Sequence, residues 1–199
     1  LRPREAELVL AAASEPVGYA TLLWSAARRL GIAADAGAPA EAAGLIEFGA
    51  RVRFRHPLVR AAAYRAAALP DRRQVHRALA EASDPVADAD RRAWHRAHAA
   101  MGPDEEVAGE LERSAGRAQA RGGLAAAGAF LESAAELTPD PGNRARRALD
   151  AAQAKLQTGA FDSALTLLAM AEEGPDDPFR RARLDLVRAQ IAFASNHGS

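Results

Sequence analysis

Alanine accounts for 53 of the 199 residues, and no other feature of the sequence constrains the fold as strongly. Alanine has the highest helix propensity of all residues, and β-branched and aromatic residues are scarce, with aromatic residues at 5%. Because the alanine side chain is short, packed helices can approach each other closely while burying little apolar area per residue. The sequence therefore predicts a mainly α fold.

Charge and composition exclude several classes of function. The 26 basic and 26 acidic residues give a formal net charge of zero, which argues against nucleic-acid binding by the chain as a whole. The absence of cysteine excludes disulfides, cysteine-ligated zinc and a cysteine nucleophile. No apolar run approaches the roughly 18 residues of a membrane span, and no secretory signal pattern opens the chain. We therefore expect a cytoplasmic protein without a membrane segment.

Both termini favour the interpretation that the chain is a piece of a longer protein. Residue 1 is leucine, and residues 194–199 show no clear closing helix in their sequence. Part of the function would then depend on segments outside this sequence.

Residues 1–68 predict a winged-helix-like domain. Three helices come first: one from Pro3 to about Ala13, one from about Tyr19 to Leu30, and a short one from Ala40 to Ala43. Proline near the start of a helix and glycine just beyond its end mark these boundaries. Residues 33–38, between the second and third helices, are predicted to be weakly structured.

The spacing of apolar residues changes within residues 45–55, where apolar and charged residues alternate. This pattern predicts a two-stranded hairpin, with Gly49 at the first central position of its turn. Val52 and Phe54 are expected to face the core, and the arginines beside them to face solvent. A helix from Leu58 to Ala68 follows and completes the domain.

From residue 69 onward the sequence predicts helices throughout. Residues 69–102 form a connecting helical pair, whose second helix runs from Asp88 to Met101 with Trp94 as its large anchor. Another helix follows, with Asp104 as its N-cap.

Residues 103–199 contain a degenerate internal repeat. Gly122 and Gly159 are 37 residues apart, near the roughly 34 residues of a tetratricopeptide (TPR) unit. In each register a helix ends at the glycine, and the next helix carries alanines where an antiparallel partner approaches. A third unit begins at Pro178. We therefore predict antiparallel helical hairpins that stack as a TPR-like superhelix, truncated at the C-terminus.

Motifs for catalysis or cofactor binding are absent from the sequence. The only lysine, Lys155, lies within a predicted helix and does not follow a glycine, so the chain has no P-loop. G-x-S-x-G, H-E-x-x-H and EF-hand motifs are also missing, and no nucleophile–base pair or carboxylate pair stands out. We therefore expect no enzymatic activity and no cofactor in this chain.

His95 and His98 are three residues apart on one predicted helix and could present two imidazoles to a metal. A metal site needs three or four ligands, and no cluster of further ligands accompanies them. We therefore interpret the pair as part of a polar helix face and expect no metal site. His76 is likewise expected at the surface.

Four arginines, Arg51, Arg53, Arg55 and Arg60, surround the predicted hairpin. In DNA-binding winged helices the hairpin contacts phosphates, and the helix before it contacts base edges in the major groove. That helix, here residues 39–43, contains no arginine or asparagine. Direct DNA binding is therefore not expected, and the arginines are interpreted as a solvated face.

The pair His56-Pro57 has two interpretations. Proline is favoured at the first position of a helix and holds the preceding residue extended, which explains Pro57 without requiring histidine before it. Alternatively, the helix N-terminus faces an anion, assisted by the imidazole and by nearby arginines.

Three stretches, in this order, resemble the middle region of large ATP-binding LuxR-type transcriptional regulators. They are residues 54–60 (FRHPLVR), 91–95 (RRAWH) and 102–108 (GPDEEVA). The resemblance covers nearly the whole chain and implies an AAA-like P-loop ATPase before this region and a LuxR-type helix-turn-helix after it. Both domains would lie outside this sequence.

These regulators are similar to signal-transduction ATPases with numerous domains. In that class a winged-helix domain packs on the nucleotide and ends in a Met-His-Asp motif at a helix start, whose histidine contacts the bound diphosphate. Residues 55–57 occupy the corresponding strand-to-helix position. The resemblance therefore implies that His56, together with Arg55, senses the nucleotide phosphate, although Arg55 replaces the methionine and Pro57 the aspartate.

The resemblance predicts the regulatory and protein-interaction part of a LuxR-type regulator, which relays nucleotide or inducer state to a DNA-binding domain absent from this chain. ATP or ADP is expected in the full-length parent, and an inducer or protein partner on the helical repeats. A helical-repeat scaffold that binds proteins without nucleotide linkage is the alternative. A repeat array cut within a unit would expose apolar surface, so Leu184, Val187 and Ile191 are candidates for a homodimer contact.

Overall fold

The computed structural model describes residues 2–197, with side chains up to Ala194. The prediction of a mainly α fold with one short hairpin is confirmed, since the described residues form eleven α-helices, one 3₁₀ helix and a two-stranded antiparallel sheet. The chain divides into two compact units, Leu1–Ala100 and Met101–Ser199. The first unit contains the predicted winged-helix-like segment together with nearly all of the predicted connecting pair.

The first unit begins with three α-helices and ends with three more, on either side of the hairpin. A 3₁₀ helix precedes the third α-helix, in a stretch that was predicted to be weakly structured. The predicted order of three helices, a hairpin and a returning helix is confirmed. The elements among its described residues are α1 (Pro3–Ser14), α2 (Ala20–Arg29), the 3₁₀ helix (Ala34–Gly37), α3 (Ala38–Ala42), β1 (Ile46–Phe48), β2 (Val52–Phe54), α4 (Pro57–Ala66), α5 (Leu69–Ala82) and α6 (Ala89–Ala99).

Helix α1 lies at the centre of the first unit. It contacts α2, α3, α4 and α5, and all its residues from Leu8 to Ser14 are buried. Pro3 begins the helix as predicted. Helix α5 contacts α1, α2 and α6, and its Val75 and Leu79 belong to the same apolar core as α1. The predicted connecting pair is therefore anchored to this core.

The turn between the two strands differs from the prediction. Three residues, not two, connect the paired ends of the strands, and Gly49 is not among the glycines with positive φ. The longer loop allows Arg51 to form an isolated β-bridge with Tyr19, and the Val52 N–H donates to the carbonyl oxygen of Gly18 at 2.8 Å. This contact outside the hairpin sets the loop length, which turn rules alone do not describe.

The faces of β2 are as predicted. Val52 is buried, Phe54 is half-buried against the core, and Arg53 is exposed. Gly18 has a φ of 72°, and a β-carbon there would lie 2.4 Å from the carbonyl oxygen of Val52. The close approach of the two backbones therefore requires glycine at this position.

The second unit consists of helices that each pack on the next one, and the last helix also contacts the third. The last helix continues to His197, although no closing helix was predicted there. Stacking as a TPR-like superhelix stays a prediction. The helices among the described residues are α7 (Glu105–Ala120), α8 (Leu124–Leu137), α9 (Pro141–Gln157), α10 (Phe161–Glu172) and α11 (Pro178–His197).

The two glycines from which the repeat was predicted lie in two turns with the same backbone conformation and hydrogen-bond pattern. Gly122 follows α7 and Gly159 follows α9, with φ values of 77° and 74°. In both turns the hydrogen bonds follow the Schellman pattern, which satisfies carbonyl groups in the last turn of the helix. The same turn thus joins α7 to α8 and α9 to α10. The N–H to C=O pairs are Gly122 to Gln119, Gly123 to Ala118, Gly159 to Leu156 and Ala160 to Lys155.

Within residues 2–197, no helix combines the length and the apolar character that crossing a lipid bilayer requires.

Candidate functional site

His56 is the N-cap of α4, and Pro57 occupies the first helical position as predicted. The His56 backbone is extended, with φ −140° and ψ 136°. The Leu58 N–H donates to Nδ1 of His56 at 3.1 Å. Because an accepting Nδ1 carries no proton, we assign the proton of the neutral ring to Nε2. Nε2 is then the atom through which this exposed side chain could donate to a phosphate.

The four arginines near the hairpin do not share one site. Arg55 is exposed beside the turn that precedes β1. Nε of Arg60 donates to the carbonyl oxygen of Ala13 at 3.0 Å and so joins α4 to the end of α1. The Arg51 guanidinium lies 5.3 Å from the centre of the Tyr19 ring. Of the four arginines, only Arg55 is adjacent to His56 in sequence.

Helix α3, which precedes the hairpin, carries no basic residue. Its Ala40 is buried, and the carboxylate of Glu41 accepts the Phe48 N–H at 3.3 Å. Its one charged side chain is therefore negative and bonded to β1. The expectation that this chain does not contact DNA bases stays a prediction.

The first unit contains a buried polar group that was not predicted from the sequence. His76 was predicted at the surface, and this prediction was wrong, because the His76 side chain is 0% exposed. On α5, His76 is three residues before Leu79 and four before Ala80, so helical spacing places it on the buried face. That spacing is the feature of the sequence that could have identified it.

His76 is one member of a hydrogen-bonded chain of four side chains, here called the histidine chain: Tyr64, His76, His95 and Glu15. The Tyr64 hydroxyl lies 3.0 Å from Nε2 of His76. Nδ1 of His76 lies 2.9 Å from Nδ1 of His95. Nε2 of His95 lies 3.2 Å from Oε2 of Glu15. The chain thus joins α4, α5, α6 and the segment that follows α1.

One proton assignment satisfies all three contacts while both imidazoles stay neutral. The ionised Glu15 carboxylate only accepts, so His95 donates through Nε2–H and its Nδ1 carries no proton. His76 then donates through Nδ1–H to that atom, and its Nε2 accepts the Tyr64 O–H. Each donation therefore runs in one direction, from Tyr64 to Glu15.

The electrostatics of the site agree with this assignment. Burial lowers the pKa of His76 to about 3, assisted by the nearby His95, His98 and Arg72. Burial also lowers the pKa of His95, by more than the hydrogen bond to Glu15 raises it. Both rings are therefore neutral near pH 7.

Glu15 is ionised in the same environment. Burial alone would raise the pKa of its carboxyl, but hydrogen bonds from His95 and from the Val17 N–H at 2.9 Å lower it below its usual range. Nε of Arg91 lies 3.7 Å from Oε2 and adds a positive charge. The end of the histidine chain is thus a stabilised carboxylate.

His95 and His98 do not form the polar face that was predicted. His95 is buried and His98 is exposed. The His98 ring centre lies 4.1 Å from that of Trp94 and 4.8 Å from that of His76. Trp94, which was predicted to anchor this helix, is only half-buried. The buried residues of α6 are Ala93 and His95. Among the described residues, no group of three or more His, Cys, Asp or Glu side chains could hold a metal ion.

The second unit buries a guanidinium, which was not predicted from the sequence either. Arg147 on α9 has a side chain that is 5% exposed. Its Nη2 donates to Glu105 at 2.7 Å, its Nε donates to Glu112 at 2.9 Å, and its Nη1 donates to the Thr138 hydroxyl at 2.7 Å. This group joins α7, α9 and the segment after α8.

The three residues predicted for a homodimer contact are not exposed. Leu184, Val187 and Ile191 are buried in the apolar core of the second unit. The exposed apolar residues of α11 lie on another face and include Phe179 and Leu186, at 74% and 56% exposure. The choice of residues was therefore wrong, because the apolar pattern of α11 contains two stripes and only tertiary packing decides which one is covered.

Comparisons with protein-family models, curated proteins and solved structures find no match to this chain. Membership of the LuxR-type regulators therefore stays a prediction.

Proposed function

We propose that this chain is the regulatory and protein-interaction part of a LuxR-type transcriptional regulator of the signal-transduction ATPase class. The first unit relays the nucleotide state of an ATPase domain elsewhere in the parent, and the second unit receives an inducer or protein partner. ATP or ADP binds to that ATPase domain, and a helix-turn-helix domain binds DNA. The chain itself catalyses no reaction and acts in the cytoplasm.

The position of His56 is the observation that carries this proposal. His56 is exposed at the N-terminus of α4, directly after β2 and beside the exposed Arg55. The positive end of the helix dipole favours an anion at such a position, although Pro57 has no N–H and the Val59 N–H donates to the His56 carbonyl oxygen. The Leu58 N–H is used by Nδ1, so Nε2 remains for a phosphate oxygen. A diphosphate of a bound nucleotide fits this chemistry.

The test separates the capping role of His56 from a phosphate contact. We would measure ADP affinity of the full-length parent for wild type, His56→Ala and His56→Asn, with Arg53→Ala as a control on the same hairpin. Asparagine is a strong N-cap but has no imidazole. The proposal expects weaker ADP binding for both His56 variants and unchanged binding for the control. Unchanged affinity in both, or a loss only in His56→Ala, contradicts nucleotide sensing by the imidazole.

A second candidate is a protein-binding helical scaffold without nucleotide linkage. The two successive helical hairpins, α7–α8 and α9–α10, favour it, because repeated helical hairpins build an extended surface for partners. The two candidates differ in their dependence on nucleotide. Partner or inducer binding by the full-length parent that is equal with and without ADP would favour the scaffold, as would a parent sequence without a P-loop before this region.

A further inference from the structure

The contact at the centre of the histidine chain joins two identical ring atoms. Nδ1 of His76 and Nδ1 of His95 are 2.9 Å apart, and neither side chain is exposed to solvent. One of the two atoms must carry a proton and the other must not. With the Tyr64 hydroxyl as donor at one end and the Glu15 carboxylate as acceptor at the other, the chain is fully satisfied only when both rings are neutral.

Adding a proton to either ring breaks this arrangement. A proton added to Nδ1 of His95 would place its N–H against the N–H of His76, with the two nitrogens 2.9 Å apart. A proton added to Nε2 of His76 would place its N–H against the O–H of Tyr64. This conflict is relieved only if the Tyr64 hydroxyl turns and accepts a hydrogen bond instead of donating one. A buried charge without a new partner is also costly. The geometry therefore resists protonation in the folded state.

We propose that the histidine chain is a pH-sensitive lock, which holds α4, α5, α6 and the segment after α1 together near neutral pH and releases them in mild acid. This inference goes beyond the proposed function and does not depend on it.

The surrounding charges favour the neutral rings, with one exception. Arg72 on α5 and Arg91 and His98 on α6 oppose protonation of the imidazoles. Glu15 is the exception, since its negative charge favours protonation of His95. Helices α1 and α2, which also pack against α5, contribute apolar side chains to the same core, and Tyr64 is the titratable group that α4 contributes.

The direction of the pH effect follows from linkage between protonation and unfolding. A histidine in the unfolded chain titrates near about pH 6.5, whereas burial lowers the pKa of His76 to about 3 in the folded protein and also lowers the pKa of His95. Only the unfolded state therefore takes up protons as the pH falls from neutral. The stability that the neutral rings contribute to the first unit is fully present above about pH 6.5 and is lost progressively as the pH falls below it.

The experiment uses the distribution of fluorophores in the full chain. Both tryptophans, Trp24 and Trp94, and both tyrosines belong to the first unit. Urea unfolding followed by tryptophan fluorescence therefore reports this unit. Between about pH 7.5 and about pH 5.5, the unfolding equilibrium constant should rise about tenfold from His76, whose folded pKa of about 3 lies below this range, and further from His95, whose folded pKa is also lowered.

Two variants identify the groups responsible. In His76→Leu/His95→Gln the chain cannot titrate, and the glutamine amide can still donate to Glu15; this variant should lose most of the acid shift. His98→Gln removes an exposed histidine and should keep the shift. The proposal is overturned if wild type shows no acid shift, or if the double variant keeps it in full. The wild-type result decides the matter by itself if the double variant does not fold.

Discussion

In the first unit the buried polar side chains include two imidazoles and a carboxylate joined in a chain, whereas in the second unit the dominant buried polar side chain is one guanidinium, that of Arg147. Both groups join several helices that alanine-rich packing alone would hold weakly. They differ in how their charge depends on pH. The histidines require neutrality, and Arg147 requires a positive charge.

The two units should therefore respond differently to mild acid. A hydrogen bond to Glu105 raises the pKa of Arg147, so its charge does not change in this range. Hydrogen bonds from Arg146 and Arg147 lower the pKa of Glu112, so its contribution is present above about 4.5 and is lost only as the pH falls further. The first unit loses stability from about pH 6.5 downward. Between these two pH values, mild acid should therefore lower the stability of the first unit but not that of the second.

Glu136 strengthens this contrast. Burial and the neighbouring Glu132 raise the pKa of its carboxyl. As the pH falls, the Glu136 carboxyl is therefore protonated in the folded second unit before it is protonated in the unfolded chain. The second unit gains stability as the pH falls through the raised pKa of Glu136. The sign is opposite to that of His76 in the first unit.

The largest expected effect is on the second unit. Arg147→Ala removes the charged partner of Glu105 and Glu112 and a donor to Thr138, and should lower the free energy of unfolding by about 3 kcal/mol. Far-UV circular dichroism during urea unfolding measures this, since the second unit contains neither tryptophan nor tyrosine. Arg146→Ala, on the exposed side of α9, is the control, with a loss of less than about 1 kcal/mol. Equal losses would contradict the special role of the buried guanidinium.

A smaller effect is expected in the first unit from Glu15→Gln. The amide keeps one acceptor oxygen but places a donor against either the His95 Nε2–H or the Val17 N–H, so one hydrogen bond to a charged group is lost. The expected loss is about 1.5 kcal/mol, measured by tryptophan fluorescence near pH 7. Glu47→Gln, at an exposed position of β1, should change stability by much less. A variant at residue 15 as stable as the one at residue 47 would show that the carboxylate does not hold the chain together.

The elements that the sequence predicted correctly are those determined by local chemistry. Pro57 starts α4 because its missing N–H and fixed φ suit the first helical position. Asp104 caps α7 by accepting the Val107 N–H, and Gly122 and Gly159 end their helices in the left-handed conformation. Each of these features depends on a few consecutive residues, which a single sequence displays.

The predictions that failed depend on contacts between distant segments. His76 is buried because Tyr64 and His95, on two other helices, supply its hydrogen bonds. The turn after β1 is longer than expected because β2 also bonds to the segment before α2. Helical spacing in the sequence could have indicated that His76 is buried, but the hydrogen bonds of the histidine chain could be found only in three dimensions.

The central claim is that both buried imidazoles are neutral and that each donates toward Glu15. Two-bond ¹H–¹⁵N correlation spectra of the full chain near pH 7, with His76→Gln and His95→Gln variants for assignment, measure the tautomer of each ring directly. We predict the Nδ1–H tautomer for His76, unchanged down to about pH 5.5, and the Nε2–H tautomer for His95 near pH 7. A charged ring at either position, or the Nε2–H tautomer at both, would contradict the account.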